Sequence, residues 1–139
     1  MAFINFYGGT GNVTGANFLL DLPKAKILVD CGLIQGDRFA SAKNCEVFPY
    51  DVTAVDALFV THAHADHIGR IPKLLRDGFQ GVIYSTPPTR DLAIVMLRDA
   101  YKIMAYESER YGTPRCYEEQ DITAALACWK THPYHTPIT

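Results

Sequence analysis

The sequence has little of what would direct it to a membrane, a polyanion or an oxidising compartment. No apolar run approaches the roughly 20 residues that a membrane helix requires. The N-terminal stretch MAFINFYGG carries no basic segment and only a short apolar one, so it does not read as a signal peptide. A net charge of −2 over 139 residues gives no overall attraction to nucleic acid or anionic lipid, and any polyanion site must be a local patch. The four cysteines, Cys31, Cys45, Cys116 and Cys128, are widely spaced and form no CxxC pair. That spacing argues against a Cys-based zinc site and against a disulfide framework, leaving reduced structural cysteines as the expectation. There are no repeats and no low-complexity tracts. Together these absences lead us to expect a cytoplasmic protein.

A nucleotide-binding loop is also missing. GGTGNVTG, residues 8–15, has Thr14 where G-x-G-x-x-G needs glycine, and no Gly-Lys-Ser/Thr follows it. It reads as a turn or open loop.

What is present is an ordinary globular balance, with 48% apolar and 20% charged residues. At this length one domain with a sizeable core is expected. Residues 2–7, 16–22 and 26–30 read as strands of a meander, and 31–50 as a long polar excursion. ALFVT, residues 57–61, is a buried strand, IPKLLRDG a short helix with Pro72 in its first turn, and GVIYS another buried strand. A long helix follows over 86–112, with Thr86 at its N-cap, Pro87 just inside and Gly112 as its stop. Leu92, Val95, Met96, Tyr101 and Met104 recur along it at near-helical spacing and read as its core stripe. EEQDITAALACWK, residues 118–130, reads as a last helix. The order is that of an α/β fold whose final strands are missing.

The chemistry concentrates in THAHADHIGR, residues 61–70, where three of the five histidines and an aspartate fall within six residues. At a strand end, residues two apart point to one side, so His62 and His64 face a common point. Asp66 and His67 follow where the chain turns into the next helix and offer donors from another direction. Imidazole nitrogen and carboxylate oxygen are the donors that suit Zn²⁺ and related ions. A solvated histidine-rich loop is the plainer reading, but H-x-H-x-D-H directly after an apolar strand speaks for a metal site.

THAHADHIGR resembles the signature of the metallo-β-lactamase superfamily. NVTGANFLL, ILVDCG, THAHADHIGRIPKL and STPPTRDLAIVMLRDAYKI are similar in order and spacing to its β-CASP branch of RNA- and DNA-processing nucleases. The resemblance implies the first half of an αββα sandwich, a mixed sheet with flanking helices. Residues 1–139 would be a partial, truncated domain without the branch's capping domain. It makes His62 and His64 ligands of one metal, and Asp66 and His67 ligands of a second. Asp30, in VDCG, would support the ligand loops beside the centre; a turn-initiating aspartate is the plainer alternative. The implied chemistry is RNA phosphodiester cleavage by a hydroxide that two zinc ions, roughly 3.5–4 Å apart, generate at neutral pH. Asp66 would also orient or deprotonate that water.

A full site of this family needs a further histidine, a bridging aspartate and a C-terminal histidine, and the sequence reaches Thr139 before any of them. His132 and His135 are poor substitutes, since an extended HPYH segment turns them to opposite faces. With two protein ligands per metal, weak or partial occupancy is expected, and the chain alone is expected to be inactive or weak. A half-sandwich also exposes apolar surface, so a homo-oligomer or a complementing C-terminal half is expected. The alternatives are a non-catalytic metal-binding or assembly module, and an ester or thioester hydrolase of the same fold. Arg70, Lys73 and Arg76 form either a phosphate-facing patch or a solvated helix face. Tyr101, Tyr106, Tyr111 and Tyr117 read as packing residues rather than base-stacking ones.

Overall fold

In the computed structural model, which describes residues 1–36 and 38–138, the described strands form one sheet in strict chain order. Strands β1 (Phe3–Gly8), β2 (Asn17–Leu22) and β3 (Ala25–Val29) run antiparallel. The β1–β2 connection uses Gly9, Gly11 and Gly15 at positive φ, which an L side chain rarely adopts. At Gly8 a Cβ would fall 2.0 Å from the Gly15 carbonyl oxygen, so the loop closes only on glycine.

Beyond β3 the sheet becomes parallel through β4 (Ala57–Phe59), β5 (Val82–Ser85) and β6 (Trp129–Thr131). Parallel neighbours need crossovers, and helices supply them. Helix α1 (Ala40–Cys45) lies between β3 and β4. Helices α2 (Ala65–Ile68) and α3 (Ile71–Arg76) join β4 to β5. Helices α4 (Pro87–Tyr111) and α5 (Glu119–Ala127) join β5 to β6. Leu28, Leu58, Ile83 and Trp129 register side by side across the parallel strands, and all four are buried. Ile68, Ile71, Leu74, Leu97 and Ile122 from the helices complete the core. Burying each such side chain contributes about 1.5–3 kcal/mol.

The mixed sheet with flanking helices is the α/β architecture expected from the sequence. Three local expectations are corrected. The final helix ends at Ala127, and Trp129 and Lys130 belong to β6, because the Trp129 indole is drawn under β5, donating to Ser85 Oγ at 2.8 Å. The excursion over 31–50 contains α1. Along α4 only Ala93 and Leu97 are buried; Leu92, Val95 and Met96 are 60%, 65% and 40% exposed, so of the expected stripe only Tyr101 and Met104, partly buried, pack against the core. The packed face instead uses small Ala93 to let the helix approach.

The cysteine expectation is corrected in part. Cys45 and Cys116 are joined by a disulfide across 71 residues, with a Cα–Cα distance of 4.6 Å. No spacing rule announces it, because packing of the α1 end against the segment before α5 creates the proximity. Cys31 and Cys128 are free, and burial pushes the Cys31 thiol up to about 12. Among the described residues, no helix is long and apolar enough to cross a membrane.

Candidate metal centre

The centre grows from the carboxyl end of β4, where the chain leaves the sheet at Val60 and turns into α2. Asp30 sits at the adjacent end of β3, with its N–H donating to the Phe59 carbonyl at 2.9 Å. Its φ of 58° is left-handed, a conformation aspartate tolerates better than most residues. Its side chain is 1% exposed. That buried carboxylate is fully used. It accepts from the Thr61 N–H at 2.8 Å, from the Thr61 hydroxyl at 2.8 Å and from His67 Nδ1 at 2.7 Å.

These bonds dictate the imidazole tautomers. A carboxylate only accepts, so His67 Nδ1 carries the proton and Nε2 is left with a lone pair when the ring is neutral. The Thr61 hydroxyl donates its one proton in the hydrogen bond to Asp30, so it must accept from His62 Nδ1, 2.9 Å away. His62 Nε2 is left with a lone pair by the same argument. The His62 ring lies 3.9 Å from that of His67 and 4.7 Å from that of His64, centroid to centroid. Asp66 Oδ2 is 3.5 Å from His67 Nε2.

The backbone under this cluster is laced to its neighbours. The carbonyls of Ala65, Asp66 and His67 accept from Leu33, Ala16 and Cys31 N–H at 2.8–2.9 Å. A Cβ on Gly32 would sit 1.6 Å from the Asp66 carbonyl oxygen, so only glycine lets these segments meet. Gly69 is similarly crowded by Leu33. The turn loop over residues 8–15 ends against this same lacing, through Ala16.

The four residues singled out in the sequence, His62, His64, Asp66 and His67, therefore gather at one place with Asp30 beneath them. The donor chemistry fits a divalent ion: unprotonated Nε2 on two rings, a carboxylate, and carboxylate-backed histidine of the kind that orients metal ligands. Among the described residues, however, no three His, Cys, Asp or Glu side chains are already arranged to hold an ion. His132 and His135 lie in the turn after β6. The His132 ring faces the Thr136 carbonyl at 2.8 Å, and His135 is exposed. No contact among the described residues joins either to the cluster.

Arg70 and Lys73 are not a phosphate-facing patch. They are 7% and 4% exposed, Arg70 Nε donates to the Gly32 carbonyl at 2.7 Å, and Lys73 pairs with Asp77. Both cations lie over the Phe48 ring, at 5.2 and 4.6 Å. Of the three basic residues only Arg76 is exposed. Tyr117 is buried and Tyr101 packs beside it, but Tyr106 and Tyr111 are mostly exposed.

Two groups escaped sequence reasoning. Thr61 was inside the motif, yet nothing in its spacing revealed that it bridges Asp30 and His62. Asn17 is wholly buried beside the Cys31 thiol and the Tyr50 hydroxyl, and neither its amide atoms nor that hydroxyl meets a partner at full hydrogen-bond geometry. A polar residue opening the apolar run NFLL was the available signal for Asn17.

Residues 8–81 match the profile of the family described as Anti-Pycsar protein Apyc1. Over 113 residues the chain is 43% identical to Ribonuclease TTHA0252 of Thermus thermophilus, covering 81% of this chain and 25% of that protein. It is 40% identical over 106 residues to Transcription termination factor FttA of Methanosarcina mazei, covering 74% and 16% respectively. An RNase J-like protein of Methanocaldococcus jannaschii is 31% identical over 128 residues, covering 91% of this chain and 25% of its own length. The chain thus spans about a quarter or less of these curated relatives. Among solved structures, a Cronobacter sakazakii metallo-β-lactamase with a HARLDQ motif aligns over 56% of this chain and 28% of its own, at 22% identity and a TM-score of 0.42. The subclass B3 metallo-β-lactamase MEM-A1, from a soil metagenome, aligns over 57% and 29% at 19% identity, with the same score.

Proposed function

Since this chain belongs to the metallo-β-lactamase superfamily, with residues 8–81 in the Apyc1 family and its relatives in the β-CASP branch, we propose that it is part of a metal-dependent nuclease that hydrolyses RNA phosphodiesters. His62, His64, Asp66 and His67 hold divalent ions in this reading, with zinc the first candidate. Bound there, the ions would acidify a water for attack and neutralise charge on the phosphoryl oxygens. Asp66 would orient that water and accept its proton. Asp30 and Thr61 hold His67 and His62 by their Nδ1 atoms and keep both Nε2 atoms available. The remaining donors come from a complementing C-terminal portion, or from a second copy of the chain.

The observation that supports this reading most is the Asp30–Thr61–His62–His67 bonding, which leaves two imidazole Nε2 atoms available to a metal. The test measures zinc content and RNA cleavage of the chain, alone and with the remaining portion of the Thermus relative supplied as a separate polypeptide. Retained zinc that His62→Ala removes, and cleavage that needs the supplied portion, are the expected results. Zinc retention without cleavage of any phosphodiester would instead favour a non-catalytic metal-binding module.

A further inference from the structure

The disulfide is coupled by contact to the candidate centre. Cys45 closes α1, and its neighbour Asn44 is buried and clamps one residue of the segment after β3. Asn44 Oδ1 accepts the Ile34 N–H at 2.8 Å, and Nδ2 donates to the Ile34 carbonyl at 2.9 Å. Directly before Ile34 come Leu33 and Gly32. Leu33 N–H holds the Ala65 carbonyl, and Gly32 lies flush against the Asp66 carbonyl. The path from Cys45 to the backbone of Asp66 is therefore short and continuous: Asn44, Ile34, Leu33, Ala65. At its other end the disulfide anchors α1 to the segment just before α5, beside buried Tyr117.

The bond is also reachable. Both half-cystines are only partly buried. Cys45 borders a cleft with Phe48 and Lys73, while Cys116 borders a separate cavity of about 280 Å³ with Leu33, Asn44 and Met104. A disulfide whose half-cystines border two openings is placed for thiolate attack.

We propose that Cys45–Cys116 is a thiol-responsive fastener for the candidate metal centre, an inference that rests on the metal reading above. A dithiol reductant attacks the bond. The two sulfurs take up two electrons and two protons and become thiols, and the reductant closes its own disulfide. With the bond open, α1 is released from the α5 side, Asn44 loses its fixed place against Ile34, and the brace behind Ala65 and Asp66 loosens. Ion holding weakens as a result.

Three measurements on the full chain test this. Mild dithiol treatment of the native protein followed by alkylation and peptide mass mapping should label Cys45 and Cys116; no labelling until denaturant is added would overturn the proposal. Amide exchange of Leu33 and Ile34 should be about tenfold faster in C45S/C116S than in the oxidised chain, with Leu58 and Ile83 unchanged. A uniform rise that includes those core amides marks lost global stability and would sink the idea, as would no change. Zn²⁺ affinity, read by competition with a chromophoric chelator, should fall about tenfold in C45S/C116S. N44A should reproduce both effects with the disulfide intact. Equal Zn²⁺ affinity in oxidised chain and double variant defeats the fastener alone. An oxidised chain that binds no Zn²⁺ defeats the metal reading, and the fastener then stands or falls on the exchange rates.

Discussion

The Thr61 hydroxyl has one proton, and it donates it in a hydrogen bond to Asp30. The orientation of the His62 ring follows from that bond, since the hydroxyl can then only accept from Nδ1. Thr61→Val keeps the shape and the backbone N–H while deleting this hydroxyl. Zn²⁺ affinity should drop about 10–100-fold, the usual effect of losing an outer partner of a ligating histidine, with circular dichroism unchanged. An unchanged affinity in a chelator competition would remove Thr61 from the centre. A second residue reports on pH. Burial, with Tyr101 close by, pushes the Tyr117 phenol up from 10 to about 12. Unfolded Tyr117 loses its proton near pH 10, while the folded phenol keeps it until about 12, so the native state holds more protons in that window. Stability contributed by the neutral phenol is complete below pH 10 and is lost as pH rises toward 12. Tyr117→Phe should flatten that alkaline decline in denaturation midpoints taken at successive pH values.

At the scale of elements, the long helix separates what a pattern can say from what packing decides. Its ends were legible from Thr86, Pro87 and Gly112, because capping and a left-handed stop are local matters, and Gly112 does adopt a φ of 68°. Its buried face was not. Leu92, Val95 and Met96 have the right spacing for a core stripe, yet Ala93 and Leu97 are the buried residues, with Tyr101 and Met104 packed against the core beside them. Leu97→Ala should therefore cost about 3 kcal/mol in urea unfolding, whereas Leu92→Lys or Val95→Lys should cost less than about 0.5 kcal/mol. Comparable losses at all three positions would contradict the packing. β6 is the reverse case. Its first two residues, Trp129 and Lys130, continue an apparently helical run, and only the berth beside β5 converts them to strand.

For the whole molecule, unpartnered apolar surface is the dominant feature. Edge strand β1 exposes Phe3, Ile4 and Phe6 by 55–57%, and α4 adds Leu92, Val95 and Ile103. An open edge with apolar side chains invites pairing with another chain. Light scattering at micromolar concentration should give a mass of at least two chains, and Phe3→Lys with Phe6→Lys should shift it toward one. A compact monomer of the unaltered protein would refute the self-association expected from the sequence. What the sequence by itself determined was the local and the chemical: the order of strands β1 to β5 with helices α3 to α5, the glycine turns, and the identity of His62, His64, Asp66 and His67 as one chemical cluster. Each of these depends on residues near one another in the chain. Tertiary structure alone decided which distant groups meet. It placed Asp30 under Thr61 and His67, buried Arg70 and Lys73 beneath Phe48, and brought Cys45 to Cys116. Such meetings depend on how sheet and helices close over one core, and no spacing within a segment encodes them.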